Sequence, residues 1–450
     1  LKEYRVPKDI IKTCDISTSL AIAAGFHALT DAGIPLTRHD DVSLLSTGVE
    51  GGWALPEEYQ EMGVIFSSAF PGLEQLGNIL DNINEKGFPR DFLFKVLSLG
   101  HAQMAQLVRA KGPNTQVNSA CASFTIALAT AVDWIKTGRA KRVLVISGDA
   151  PGGEDLLPWL GGGMLAAGAH TSERELEKAA IPFSPRRNGL ILGSGGVAFV
   201  VESESAMKER GAKAQAKILG VHIGNSAFHG SRLDIEDISK RLQFFVKEQS
   251  EKLGITPSKM ANELLFMSHE TYTPARGGSA SAEAKALRRA FGNASSKLVI
   301  SNTKGFTGHP FGVGIEEAVA ILSLHHQRAP PIAHLKEVDK EFEGFTFSKG
   351  EKRDYRYALR LAAGFGSQIA FVLFERGQQP MSDGDIEETM KALSKGNWNI
   401  QRDGPLLKAE SILSKESVKK SSKGGTAEKV ANVISLALSL IHISEPTRPY

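Results

Sequence analysis

A chain of 450 residues, 42% hydrophobic and 23% charged, has enough apolar material for a large core, as about two to four ordinary domains or one large α/β unit with additions. A net charge of +3 leaves no electrostatic footprint for nucleic acid or an anionic membrane, and no apolar run reaches the roughly 20 residues that span a bilayer. Only two cysteines, Cys14 and Cys121, are present and they lie far apart, which argues against a disulfide framework, excludes cysteine-rich metal centres and fits a reducing cytoplasm.

The chain opens on Leu1, has no signal peptide, and reads as an N-terminally truncated fragment. Apolar spacing predicts a helix over Ile16 to Ala32, stopped at Gly33. Short strands are expected at Leu44 to Ser46 and Gly63 to Ser67, then a mostly helical stretch from Asp91 to Ala110. KGPNTQV reads as a loop and a short strand, and the residues after Cys121 (Phe124, Ala127, Leu128, Ala131, Ile135) recur at helical spacing. The strand Arg142 to Ser147 follows, then a flexible glycine-rich loop over Leu157 to Ala167 leading to a short helix, and a strand-like run from Leu190 to Glu202.

A second series repeats the pattern. Strands are predicted at Ala216 to Ile223, Glu263 to Ser268 and Leu298 to Ser301. Helices are predicted at Asp234 to Leu253, Ser281 to Phe291 and Gly314 to Leu324, and Tyr357 to Phe374 gives two strands around GFGSQ. Strands alternating with helices imply a mostly parallel sheet covered on both faces, and two such series imply two α/β halves. The expected organisation is residues 1–210 and 211–376 as the halves, 377–425 as a lysine-rich linker, and 426–450 as the start of a further domain with a tail of no structural meaning. Within that last piece Thr426 to Leu440 reads as an amphipathic helix with a Thr N-cap.

Three places carry candidate chemistry. Cys121 stands where a helix begins, so free N–H groups and the helix dipole would stabilise a thiolate; a small buried hydrophobe fits the same position. His269 ends an apolar strand, and Lys304 and His309 follow another. In open α/β sheets ligands bind beyond the carboxyl ends of strands, so these groups can converge on one pocket. Taken singly, each histidine is as readily structural and Lys304 as readily a solvated lysine.

From about Asp15 to Phe374 the chain resembles the β-ketoacyl synthases (ketosynthases) of fatty acid and polyketide synthesis, on the thiolase-like fold. The active-site cysteine motif of that family is similar to NSACASFTIAL, its HGTGT to HETYT, its lysine–histidine motif to TKGFTGHPFGVGIEEAV, and its GFGG to GFGSQ. The resemblance implies two similar halves with mixed five-stranded sheets in layers. It implies that Cys121 takes an acyl group as a thioester and that a malonyl-type extender loses CO2 and attacks it. His269 and His309 would stabilise the enolate and Lys304 would orient His309. The N–H groups of Cys121 and Phe365 would form the oxyanion hole, with Phe365 gating a site whose substrate-binding positions are Thr271, Thr273, Gly364 and Gly366. No bound cofactor or metal is implied; the substrates ride on the phosphopantetheine of an acyl carrier protein, the partner, and a homodimer is expected. Departures are Glu270 and Tyr272 in place of two glycines, Ser194, and GFGS ending in Ser367. The glutamate is expected to put a charge beside His269, and the changes leave open a non-catalytic or decarboxylase-only subunit of a multidomain synthase. GGTAEKVANVIS resembles the first helix of a carrier domain.

Overall fold

The computed structural model describes residues 1, 4, 6–39, 52–77, 79, 87–88, 92–273, 278–378 and 433–443. Thirteen strands are described: β1 (Thr37–His39), β2 (Gly52–Ala54), β3 (Gly63–Ser67), β4 (Asn114–Val117), β5 (Arg142–Asp149), β6 (Ser194–Ser203), β7 (Ala216–Asn225), β8 (Leu264–Met267), β9 (Val299–Ser301), β10 (Thr346–Phe347), β11 (Tyr357–Gly364), β12 (Gln368–Arg376) and β13 (Val433–Ile443). β1 and β2 form a separate antiparallel ribbon. The rest make one ladder in the order β10-β9-β8-β11-β12-β7-β13-β6-β5-β3-β4.

Each half uses the same plan. In the C-terminal half β9, β8 and β11 run parallel, and β12 is antiparallel to both β11 and β7. In the N-terminal half β4, β3 and β5 run parallel and β6 is antiparallel to β5. β7 lies next to β12, and the matching place beside β6 is held by β13. The expected mixed five-stranded units are therefore both present, with the two-residue β10 added at one edge. The two flanking strands differ in sense, since β13 runs parallel to β6.

Layering follows from where apolar residues fall. Every residue of β5 and β11 is buried, as covering on both faces of a sheet demands. Helix Ile16–Asp31 packs on β5 and β6, its cap closed by Thr18 N–H donating to Asp15 at 2.7 Å. Helices Ile235–Leu253 and Ser279–Phe291 cover the outer face of the C-terminal half with Leu242, Phe245, Ala286 and Leu287. Helices Ser123–Lys136 and Ile315–His326 lie between the halves. Their buried residues join one cluster with Val145, Phe199, Ile218, Met267 and Phe374, drawn from both sheets. Each such side chain contributes about 1.5–3 kcal/mol on burial, so this middle layer binds the halves into one body.

The stretch expected to be mostly helical, Asp91 to Ala110, holds two helices in its described part, Phe92–Leu97 and Gly100–Val108, separated at Ser98, whose φ is +45°. Other expectations are corrected. Leu157–Ala166 is a helix, with Pro158 in its first turn, although three glycines suggested a loop. The helix expected over Thr426 to Leu440 is replaced in its described part by β13, where Ile434, Leu436, Leu438 and Leu440 recur with period two. Residues 40–51, with the strand expected at Leu44 to Ser46, lie outside the described residues; so do 379–432 and 444–450, which hold nearly all of the expected linker and the tail.

Candidate active site

Cys121 sits in a tight turn between β4 and the helix Ser123–Lys136. Ser123 staples this turn: its hydroxyl accepts from Ser119 N–H at 2.8 Å and donates to the Ala120 carbonyl at 2.6 Å. Ala120, just before the nucleophile position, has φ +50°. Tyr272 (φ +45°), Phe311 (φ +54°) and Ser367 (φ +64°) lie in the three other loops that meet here. Left-handed backbone at non-glycine residues is costly, and its gathering in four loops around one point marks a functional centre.

His309 reaches the turn from the other half. Its Nε2 lies 3.1 Å from Cys121 Sγ. Backbone pairing aims it: His309 N–H donates to Ile191 O at 2.7 Å, and its carbonyl accepts from Gly193 N–H at 3.2 Å. Its ring stacks on Phe311 (centroids 4.5 Å apart) and meets the His269 ring edge-on at 5.9 Å. His269 follows β8. Glu283 holds it from behind by accepting its N–H, and the same carboxylate accepts from Ser268 Oγ at 2.6 Å. Burial, with Lys304 adding to it, drives both imidazoles toward the neutral form: His269 falls well below its ordinary value and His309 to about 3. A neutral imidazole can donate one proton and accept another.

Burial works against the thiolate expected at the helix start. Burial pushes the Cys121 thiol up to about 12, and the pull of nearby Lys304 only partly opposes it. The thiol therefore keeps its proton until attack, and His309 is the base within reach.

Lys304 does not contact His309 directly among the described bonds. Fully buried, it pairs with Glu316, whose carboxylate burial would raise but Lys304 and Arg360 hold down to about 2. Arg360, in β11, lies 3.8 Å from Glu316 and 3.7 Å from Glu317, and Glu317 accepts a bond from Thr125 on the Cys121 helix. Glu270 is buried but its carboxylate turns away from His269, accepting from Ser279 Oγ at 2.7 Å and pairing with Arg187 at 3.6 Å. Tyr272 is also fully buried and donates to the Lys304 carbonyl at 2.8 Å. The two departures from glycine thus tie the His269 loop to its surroundings.

The GFGS turn closes the remaining side. A Cβ on Gly364 would stand 2.3 Å from the Ser119 carbonyl and 3.3 Å from Cys121 N, so only glycine permits this approach to the nucleophile turn. Phe365 follows it, 43% exposed, as a gate needs. Ser367 Oγ anchors the turn, donating to His229 O at 2.8 Å and accepting from His229 N at 3.0 Å. Gly366 keeps the turn with φ +83°. Thr271 N–H donates to Ser279 Oγ at 3.1 Å, so Thr271 is fixed beside His269; no bond is described for Thr273.

Asp149 was not singled out from the sequence. At the end of β5 it accepts from Ser68 Oγ (2.6 Å) and from the N–H groups of Ala69, Phe70 and Gly312 (2.8, 3.1 and 2.9 Å), clasping the Phe70 and Phe311 loops together. Its signal is an acidic residue closing the strand RVLVISGD, whose centre is apolar, before APGGED. Arg360 had a similar signal, an arginine inside the apolar YALRLAAG.

A family model for the N-terminal domain of β-ketoacyl synthase matches residues 3–206, and one for its C-terminal domain matches residues 245–336, in that order. The chain belongs to the β-ketoacyl synthase family. It is 26% identical to a 3-oxoacyl-[acyl-carrier-protein] synthase 2 of Staphylococcus aureus over 383 residues, 83% of this chain and 85% of that one. The synthase 2 of Vibrio harveyi is equally similar, 26% over 382 residues, with the same shares of each chain. Among solved structures a β-ketoacyl synthase from Burkholderia phymatum superposes with TM-score 0.67 at 22% identity, covering 82% of this chain and 84% of that one. A type II polyketide ketosynthase solved with its acyl-carrier protein gives TM-score 0.65 at 21% identity, covering 80% and 84%. These last two show the thiolase-like ketosynthase fold. Among the described residues no helix is long and apolar enough to cross a membrane, and no cluster of ligands for a metal is present.

Proposed function

We propose that this ketosynthase carries out decarboxylative Claisen condensation, with Cys121, His269, His309 and Lys304 as its working groups. The observation that carries it is the 3.1 Å approach of Cys121 Sγ to His309 Nε2 with the His269 ring edge beside it. Cys121 attacks the carbonyl of an acyl thioester carried on phosphopantetheine and passes its proton to His309. The N–H groups of Cys121 and Phe365 hold the tetrahedral oxyanion, and the carrier thiol leaves with the proton. A malonyl thioester then replaces the spent carrier. Its C–C bond to the carboxylate breaks, CO2 leaves, and His269 and His309 donate hydrogen bonds to the enolate oxygen. The enolate carbon attacks the Cys121 thioester, the C–S bond breaks, the departing Cys121 thiolate takes up one proton from solvent, and a β-ketoacyl chain remains on the carrier.

Thr271, Thr273, Gly364 and Gly366 line the substrate side in this reading, and residues 1–210 and 211–376 act as two halves of one site. Acyl carrier protein is the partner, and no cofactor of the enzyme's own takes part. A second copy is also expected. Among the described residues β4 pairs on one edge only, and the helix Leu157–Ala166 near the site leaves Leu157, Trp159 (76% exposed) and Leu165 uncovered. Two free cysteines support a reducing, cytoplasmic setting.

Incubation with acyl-carrier protein loaded with a short acyl group, followed by intact-protein mass spectrometry, tests this reading. An acyl adduct lost in Cys121→Ala is expected. An adduct that survives the substitution, or none at all, refutes it.

A further inference from the structure

Behind the reacting groups, one buried charged assembly spans the two halves. Arg360 is 2% exposed in the middle of β11. On one side its Nη2 lies 3.8 Å from Glu316 Oε2, and Glu316 pairs with Lys304, five residues before His309. On the other side its Nε lies 3.7 Å from Glu317 Oε1, which accepts from Thr125, four residues past Cys121 on the same structural run. Two cations and two carboxylates thus stand in a row between the helix of the nucleophile and the loop of the second histidine. As a source of stability alone the row is poor, since apolar side chains of equal volume commonly do as well in such places. The Arg360 guanidinium donates to the Leu361 carbonyl and stands at ion-pair distance, beyond hydrogen-bond distance, from both carboxylates, so its charge draws Glu316 and Glu317 toward one fixed point.

We propose that Arg360 is a positioning residue for the condensation, clamping Glu316 and Glu317 so that the Cys121 helix and the Lys304–His309 loop keep their separation. This rests on the condensing reading above. Without the guanidinium, Glu316 and Glu317 retain Lys304 as their near cation. The surplus negative charge then faces Cys121, His269, His309 and Glu283, and it opposes ionisation of the thiol. Thr125 reports the same coupling from the nucleophile's side, since it touches no reacting atom.

Alkylation of Cys121 by iodoacetamide, followed by mass spectrometry on the full chain from about pH 6 to 10, reads the clamp without requiring turnover. Arg360→Met is expected to slow alkylation about tenfold at every pH in this range, which equals an upward displacement of the whole profile by about one pH unit. Arg360→Lys, which keeps the charge, is expected to retain the wild-type pH profile while lowering kcat at unchanged KM. Should Arg360→Met not fold, as circular dichroism would show, the cycle of Arg360→Lys with Thr125→Val decides. Effects on the alkylation rate that are coupled support the clamp, and additive effects overturn it, as does a wild-type profile in a folded Arg360→Met. A wild-type chain that takes no acyl group from the carrier would refute the condensing reading alone, because the alkylation profile still reports on Arg360.

Discussion

Cys121 Sγ and His309 Nε2, 188 residues apart in sequence, approach to 3.1 Å. The thiol comes from a turn of the N-terminal half and the imidazole from a loop of the C-terminal half, so the reacting pair exists only where the halves meet. Replacing the thiol should therefore separate the two stages. Cys121→Ala is expected to stop condensation while malonyl-carrier decarboxylation continues at His269 and His309. His309→Ala is expected to lower both by about 10²–10³-fold, the range for loss of one oxyanion donor. Release of labelled CO2 alongside β-ketoacyl product measures both.

Asp149 makes stability depend on pH. Burial raises its carboxyl from 3.8 to about 7, despite the four donors around it. The folded state therefore holds this proton more tightly than the unfolded chain. The contribution is fully present below pH 3.8, shrinks as the unfolded chain ionises, and is lost as pH rises through about 7. Urea midpoints measured across that window should fall with rising pH in the wild type, and the slope should flatten in Asp149→Asn.

Gly364 touches the nucleophile turn through backbone alone. A methyl there would meet the Ser119 carbonyl at 2.3 Å, and backbone cannot yield as a flexible side chain would. Gly364→Ala is expected to cost about 1–3 kcal/mol in stability and to displace Cys121, with acyl loading falling more than the thermal midpoint suggests. Loading measured below the melting range, beside a melting curve, checks both parts.

Tyr272 stands where the family motif has glycine, and its hydroxyl satisfies the buried Lys304 carbonyl at 2.8 Å. Tyr272→Phe removes one of that carbonyl's two donors without opening a large cavity, and Gly308 N–H still donates to it at 2.9 Å. The expected loss is about 0.5–1.5 kcal/mol in denaturant unfolding. Tyr272→Gly should cost more, because the ring fills space among Leu190, Leu192 and Phe311.

Much of the fold could be read from local pattern. Ile16–Asp31, Ile235–Leu253 and Ser279–Phe291 lie within a few residues of where helical spacing puts them, because each buries one face against a sheet. The errors arose where neighbours outweighed propensity. Three glycines in Leu157–Ala166 read as a loop yet are helical, and the C-terminal VISLALSLIHI pairs with β6 as a strand. Glu270 shows the same limit at the site. Its sequence position predicts a charge beside His269, while Ser279, nine residues on, and Arg187, from a distant segment, turn that charge aside.

The sequence by itself determined the order of the motifs, the identities of Cys121, His269, Lys304, His309 and Phe365, and the alternation that makes an α/β protein of two halves. Those are properties of local spacing. Tertiary structure decided the ionisation of the thiol, the partner of Lys304, and the parts played by Asp149 and Arg360. Each depends on burial and on charges brought in from the other half. A cysteine at a helix start favours the thiolate only while water or a nearby cation offsets desolvation. Here burial outweighs Lys304, which favours the protonated thiol beside His309.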